Sequence, residues 1–161
     1  MAEPTLIPSL SALDALTSTH KYLILDFTAQ WCPPCKAIAP LFGKLAREFS
    51  VPNVLGFGKV DVDEAPDVAS KFGVTAMPTF VFLVDGEAKG VDVSKGQGIG
   101  GGGVVLLNEE GHGEGKKVVG MIRGADARNL VAVVAEVGRL AKEEAGEPKG
   151  EDKEEKKEEA A

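Results

Sequence analysis

The chain contains 161 residues, of which 43% are hydrophobic, and it carries a formal net charge of -7. This length favours one domain with a proper core, and the lack of a basic field argues against nucleic-acid partners. Two cysteines are too few for a secreted disulfide scaffold, no apolar run is long enough to cross a membrane, and the N-terminus does not resemble a signal peptide. We therefore expect a soluble, cytoplasmic protein that binds neither nucleic acid nor membranes.

The first predicted elements are a short edge strand over residues 5–8 and a helix behind Ser9. Leucines recur at spacing three from Leu10 to Leu16, and serine is a favoured residue at a helix N-cap. This pattern predicts an amphipathic helix that covers one face of a sheet.

The next predicted strand, residues 22–28, is almost continuously apolar, which is typical of a central strand covered on both faces. Asp26 interrupts this run. A buried carboxylate is costly and its pKa rises. Because Asp26 lies shortly before two cysteines, it is a candidate to exchange a proton with Cys35, and a hydrogen-bonded core aspartate is the alternative.

The segment Trp31-Cys32-Pro33-Pro34-Cys35-Lys36 holds both cysteines and the single tryptophan. Apolar residues then recur at helical spacing up to Phe49, which places Cys32 at a helix N-terminus. Unpaired N–H groups and the helix dipole favour a thiolate there and lower the cysteine pKa. Both prolines suit the first helical positions, and because Pro34 has no N–H, Cys35 is predicted to donate its N–H to the Cys32 sulfur. We interpret Cys32 as the attacking thiol and Cys35 as the resolving thiol.

Two other uses of this cysteine pair are less favoured. Zinc requires four ligands, and neither His20 nor His112 has the spacing of a zinc finger. A purely structural disulfide that closes so short a loop would stabilise the fold little. The spacing therefore favours a redox couple.

Further along the chain, residues 54–62 are predicted to form a strand, and Asp63 to cap a short helix that ends at Gly73. Residues 80–84 are the next apolar strand. Asp85-Gly86 is typical of a hairpin turn into an antiparallel strand.

Residues 88–116 form a long glycine-rich stretch, for which we predict a flexible insertion with a small extra strand over residues 104–107. Gly96, Gly98 and Gly101 formally match a dinucleotide-binding motif, but a strand pattern follows where that motif requires a helix.

A last strand over residues 117–122 and a helix capped by Asp126 complete a domain that we place at residues 1–145. Residues 146–161 form an acidic, Lys/Glu-rich tail without large apolar side chains, which predicts disorder or a frayed extension of the last helix.

The stretch from Asp26 to Lys36 resembles the active-site segment of thioredoxins, although that family usually has glycine at the position of Pro33. Met77-Pro78-Thr79 is similar to the family's loop whose proline is cis and faces the dithiol. Gly120 is matched to the family's glycine that lets a substrate chain approach. The resemblance covers residues 5–87 and 117–142, and it implies an α/β thioredoxin fold with a mixed central sheet and helices on both faces.

By this resemblance the chain is a protein dithiol–disulfide oxidoreductase that reduces substrate disulfides through a Cys32/Cys35 couple. Asp26 matches the family's buried aspartate, and Lys59 matches a lysine that approaches it. The implied docking surface consists of Trp31, Pro33, Pro34, Met77, Pro78 and Gly120.

The resemblance implies no metal and no bound cofactor, with reducing equivalents from NADPH through a thioredoxin reductase. The implied partners are disulfide-containing proteins and that reductase, and we expect a monomer. Two alternatives stay open at this point: a more oxidising, isomerase-like couple, suggested by Pro33, and a binding adapter built on the same fold.

Overall fold

The computed structural model describes residues 3–107 and 116–146. His112, residues 147–161 of the predicted tail and part of the predicted insertion lie outside these ranges. No helix of the described residues is long and apolar enough to cross a membrane.

The chain order of strands and helices follows the predicted alternation closely. The elements are β1 Thr5–Leu6, α1 Leu10–Thr17, β2 Tyr22–Thr28, α2 Pro33–Phe49, β3 Leu55–Asp61, α3 Pro66–Lys71, β4 Thr79–Val84, β5 Val91–Asp92, β6 Val104–Leu106, β7 Val118–Arg123 and α4 Ala127–Glu144.

Within the described residues, seven strands form one mixed sheet in the order β1-β3-β2-β4-β7-β5, and β6 also pairs with β7. β1, β3 and β2 are parallel, whereas β4 runs antiparallel to β2 and β7 runs antiparallel to β4. Helices lie on both faces. The predicted α/β class with a mixed central sheet is confirmed.

Two apolar clusters, one on each face of the sheet, hold these layers together. On one face α2 and α4 pack on the sheet, with Phe42 and Leu130 fully buried. On the other face α1 and α3 pack on it, with Leu13 and Val68 fully buried. β2 lies between both clusters, which explains its continuous apolar sequence.

The predicted cap of the third helix is wrong. α3 begins at Pro66, its N-cap residue is Ala65, and no side chain caps it. Asp63 instead accepts a hydrogen bond from the indole of Trp31, 32 residues earlier in the chain. The side chain of Asp63, which the local sequence assigns to the helix cap, therefore binds a residue distant in the chain. Gly73, with φ 65°, directly follows the end of the helix as predicted.

The described part of the glycine-rich stretch packs against the rest of the domain. Val91, Val93 and Ile99 are buried in the cluster beside α4, and residues 104–106 form the extra strand β6. Backbone groups of the glycines bond to side chains at the start of α4, such as Asn129. These three apolar side chains and the polar anchors offset the ordering entropy of the glycines.

Gly103 tests whether this segment packs as described, because a Cβ at this position would overlap the carbonyl oxygen of Arg123. We expect Gly103→Ala to lower the free energy of unfolding by about 1–3 kcal/mol, the usual cost of overpacking. Urea unfolding followed by circular dichroism measures this change. Gly43→Ala in α2 is the matched control, since its Cβ has room and alanine favours a helix. Equal stability of both variants would contradict the packed position of the segment.

Candidate active site

The two cysteines form a disulfide at the start of α2, with their Cα atoms 5.3 Å apart. Cys32 is the N-cap residue, and the prolines occupy the first two helical positions. The N–H of Cys35 donates to the Sγ of Cys32 at 3.2 Å. The backbone donor predicted from the missing N–H of Pro34 is therefore confirmed. A hydrogen bond and a helix N-terminus both act on the Cys32 sulfur, and both favour its thiolate in the reduced state.

The loop before β4 faces this disulfide. The Met77–Pro78 peptide bond is cis, and the carbonyl oxygen of Met77 lies 3.6 Å from the Cys32 sulfur. Cys32 is only 4% exposed and Cys35 only 2%. Around them, Pro33 and Pro34 are exposed and Met77 is half-buried. The disulfide thus lies at the bottom of an apolar rim, with Cys32 next to the loop.

Asp26 is buried in β2 and is 1% exposed. Its Oδ1 atom has no hydrogen-bond partner among the described residues. Burial raises the pKa of Asp26 to about 7, and the positive charge of Lys59 partly offsets that increase. A carboxyl group whose pKa lies near neutrality is suited to take up and release a proton under physiological conditions.

Lys59 lies beside Asp26, because the two residues are register partners across β2 and β3. Lys59 also lines a cavity of about 610 Å³ behind the start of α2. Cys35, but not Cys32, lines the same cavity, together with Thr28, Lys36 and Asp61. Cys35 and Lys59, the neighbour of Asp26 in the sheet, therefore face one common space.

Trp31 is 64% exposed, and its Nε1 donates to Asp63 Oδ2 at 2.9 Å. This bond anchors the indole at the edge of the rim. The sequence placed Trp31 in the docking surface but did not identify its anchor, since nothing local links the two residues.

Within residues 3–107 and 116–146, no group of three or more His, Cys, Asp or Glu side chains could hold a metal ion. The arrangement around the cysteines offers sulfur and proton chemistry: a dithiol, a carboxyl group and a neighbouring ammonium group.

Comparison with known proteins agrees with this geometry. The Thioredoxin family model matches residues 11–98, more than half of the chain. A thioredoxin-like protein of Fusarium culmorum is 39% identical over 137 residues, which cover 85% of this chain and 93% of the relative. The chain belongs to the thioredoxin family.

Further thioredoxins support the assignment. A thioredoxin of Neurospora crassa is 40% identical over 130 residues, which cover 81% of this chain and 83% of the relative. Oxidised mitochondrial thioredoxin 3 of Saccharomyces cerevisiae superposes with a TM-score of 0.56 at 31% identity, covering 82% and 93% of the two chains. The thioredoxin of Malassezia sympodialis superposes with a TM-score of 0.59 at 28% identity, covering 86% and 93%.

This thioredoxin is a thiol–disulfide oxidoreductase, and Cys32 and Cys35 are its redox-active pair. The family assignment confirms the resemblance, the thioredoxin fold and the class of reaction that the sequence predicted. It also confirms disulfide reduction as the activity, for which a thioredoxin requires no bound cofactor.

One predicted docking residue is not brought to the site. Gly120 lies within β7, and the nearest atoms to a Cβ there belong to Leu107 of the glycine-rich segment. Gly124, four residues later, is the glycine beside the loop that precedes β4 and faces the disulfide. Its N–H donates to the carbonyl of Pro78 in that loop at 2.8 Å. Its φ is 88°, and a Cβ would meet no atom within 4 Å. The available signal was its position directly after the end of the strand, two residues beyond Ile122, the last apolar residue.

Proposed function

We propose that Cys32 attacks the disulfide of a protein substrate and that Cys35 resolves the intermediate. In the first step the Cys32 thiolate forms a mixed disulfide, and one substrate thiolate leaves and takes up a proton. Cys35 then loses its proton, attacks the Cys32 sulfur and releases the second substrate thiolate. Two electrons pass to the substrate, and the enzyme is left with the Cys32–Cys35 disulfide. The contact of Cys32 with Met77, in a rim open to solvent, carries this assignment of roles.

Asp26 is proposed to accept the proton of Cys35. Its raised pKa and its unpartnered Oδ1 support this role, since the carboxylate form is costly in the core and gains from taking a proton. Lys59 is proposed to support the ionised form of Asp26 through its positive charge. The cavity that Cys35 and Lys59 share supplies a route for the proton to solvent.

The docking surface is proposed to consist of apolar groups around the sulfurs, most of them exposed or half-buried and one of them, Pro78, buried. We include Trp31, Pro33, Pro34, Met77 and Pro78 from the sequence, and Gly124 in place of Gly120. In the family, the backbone before the cis proline pairs with an extended substrate segment. Met77 lies in the corresponding place here.

Reducing equivalents are proposed to come from NADPH through a thioredoxin reductase. The family assignment supports this partner, and a monomer in a reducing, cytoplasmic compartment fits a dithiol that must be regenerated after each turnover. We further propose that residues 1–145 act as one redox domain with an insertion at residues 88–116. The acidic tail, residues 146–161, then serves solubility.

A coupled assay tests the source of electrons. We expect NADPH to be consumed when this thioredoxin, a thioredoxin reductase and a disulfide-bonded test protein are combined, and consumption to stop when any one is omitted. A parallel reaction driven by dithiothreitol is the control for the thioredoxin itself. Reduction with dithiothreitol but none with NADPH and the reductase would contradict the proposed reductase while leaving the dithiol chemistry in place.

A further inference from the structure

The glycine-rich segment 98–103, called the glycine ledge below, lies against one wall of the docking surface. The carbonyl of Gly103 accepts from the N–H of Arg123 at 2.8 Å, and the N–H of Gly103 donates to Asp126 Oδ2 at 2.9 Å. Gly124, which follows Arg123 in the chain, donates its N–H to the carbonyl of Pro78. A continuous run of hydrogen bonds therefore joins the ledge to the loop that faces the disulfide.

Cations at the ledge are held by backbone carbonyls and not by carboxylates. The guanidinium of Arg128 donates to the carbonyls of Gly98 and Gly100, and the ammonium of Lys117 donates to that of Ile99. A carbonyl satisfies the donors without cancelling the charge. The ledge is thus a positively charged surface as well as a fixed one.

Asp126 is the carboxylate in direct contact with the ledge, and its oxygens are already occupied. Burial acts to raise its pKa, but hydrogen bonds from Asn129 and Gly103, with the charge of Arg128, hold that pKa below its usual range. Asp126 therefore offsets part of the charge of Arg128 and is not available to Arg123.

Arg123 stands where the ledge meets the docking surface. It is the register partner of Thr79, the residue directly after Pro78, so the two Cα atoms are about 5 Å apart. Its side chain is exposed. In the ranges 3–107 and 116–146 no carboxylate forms an ion pair with it.

On the other side of the dithiol the charges are mixed, since Asp61 and Glu64 line one cavity together with Lys36 and Lys59. Asp63 binds the indole of Trp31 there, and Asp61 accepts from the N–H of Asp63. Charges of both signs therefore lie beyond Trp31, whereas Arg123 has no ion-pair partner among the described residues. A substrate segment that crosses the dithiol meets the positive charge of Arg123 at one end.

We propose that Arg123, presented by the glycine ledge, selects protein disulfides that carry acidic residues on the side of the scissile cysteine facing Gly124. This inference rests on the proposed function, because it concerns the substrates of the same dithiol. Charges at the rim of an interface act mainly on the rate of encounter and on its salt dependence. Arg123 therefore affects which substrates reach Cys32 and leaves the exchange step unchanged.

Matched disulfide-linked peptides test the proposal. Three peptides share one sequence and differ only in two residues beside the cysteine, which are Asp, Asn or Lys. The quantity measured is kcat/KM for each peptide at low ionic strength with dithiothreitol as reductant, and again at high ionic strength. The variants are Arg123→Gln, Arg123→Glu and, as control, Lys142→Gln. Lys142 is exposed in the last turn of α4, about 20 Å along that helix from its start.

We expect the wild type to prefer the Asp peptide to the Asn peptide, and the Lys peptide to be slowest. Arg123→Gln should reduce the Asp/Asn ratio by about two- to fivefold, the range for an exposed charge pair. Arg123→Glu should invert the order, and high salt should remove the differences. The Asn peptide is the internal reference for each variant, and a circular dichroism spectrum that matches the wild type shows that the variant is folded.

An Asp/Asn ratio that is the same in the wild type and in Arg123→Gln would overturn the proposal. An equal decrease of the Asp/Asn ratio in Lys142→Gln would overturn it too, because the peptide preference would then depend on the net charge of the protein and not on the position of Arg123. Failure of the wild type to reduce even the neutral peptide would be a failure of the proposed function itself, and it is distinguishable because it does not depend on peptide charge.

Discussion

Replacing Cys32 by serine is expected to abolish disulfide reduction, lowering kcat/KM by roughly 10³-fold or more, because the remaining thiol, Cys35, is 2% exposed and lines the cavity behind α2. Cys35→Ser is expected to stop turnover at a different step. Its Cys32 thiolate still attacks, but no thiol resolves the intermediate, so a mixed disulfide accumulates. Mass spectrometry under non-reducing conditions measures this adduct as the sum of the enzyme and substrate masses.

The two serine variants control for each other, since both remove one sulfur from the same turn of α2 and both abolish the Cys32–Cys35 disulfide. A difference between them therefore reports on role and not on stability. Trapping in Cys32→Ser and none in Cys35→Ser would reverse the assigned roles.

Replacing Asp26 by asparagine is expected to stabilise the protein at alkaline pH. Folding places this carboxyl group in the core, where its pKa rises to about 7 from an ordinary value of 3.8. The folded state thus binds more protons than the unfolded state between these two pH values, and the free energy of unfolding falls as pH rises. The contribution of Asp26 to the free energy of unfolding is therefore fully present below pH 4, and it is lost above pH 7.

The magnitude follows from the shift of about three pKa units, at about 1.4 kcal/mol each, which is roughly 4 kcal/mol as an upper value. Asparagine keeps the shape of the neutral acid and cannot ionise. Urea unfolding of the oxidised protein at pH 5 and pH 8 should therefore show a decrease for the wild type and a much smaller one for Asp26→Asn. Asp14→Asn, the same chemical change at an exposed position of α1, controls for the loss of one carboxylate.

Parallel pH profiles for the wild type and Asp26→Asn would show that Asp26 is charged and satisfied when folded. That result would remove the physical basis for its role as proton acceptor. A slower release of the mixed disulfide in Asp26→Asn at neutral pH, with an unchanged first step, is the kinetic result that this role predicts.

The parts of the site that depend on local sequence could be predicted well. The position of Cys32 at the helix start, the N–H of Cys35 as its donor and the burial of Asp26 follow from a strand, two prolines and a helix that are adjacent in the chain. The register that places Lys59 beside Asp26 came from the family resemblance, since sequence periodicity alone does not determine which strands pair.

The parts that depend on distant residues could not be predicted. Asp63 reads locally as a helix cap, and only the tertiary contact with Trp31 shows its actual partner. Gly120 and Gly124 lie four residues apart, and the hydrogen bond to Pro78 decides between them.

The glycine ledge is a further case of distant partners. Its composition indicates a flexible loop, but its anchors, Arg128 and Asn129, follow about 28 residues later at the start of α4. Composition measures the entropy cost of ordering such a segment and contains no information about those partners.

The most direct test of the central claim is the rate at which dithiothreitol reduces a disulfide-bonded test protein with and without this thioredoxin. We predict a rate in the presence of catalytic amounts of wild type that clearly exceeds the rate with the free dithiol alone, and that saturates with the test protein. A rate no faster than that of free dithiothreitol would contradict the oxidoreductase account. It would favour instead a binding adapter built on the thioredoxin fold.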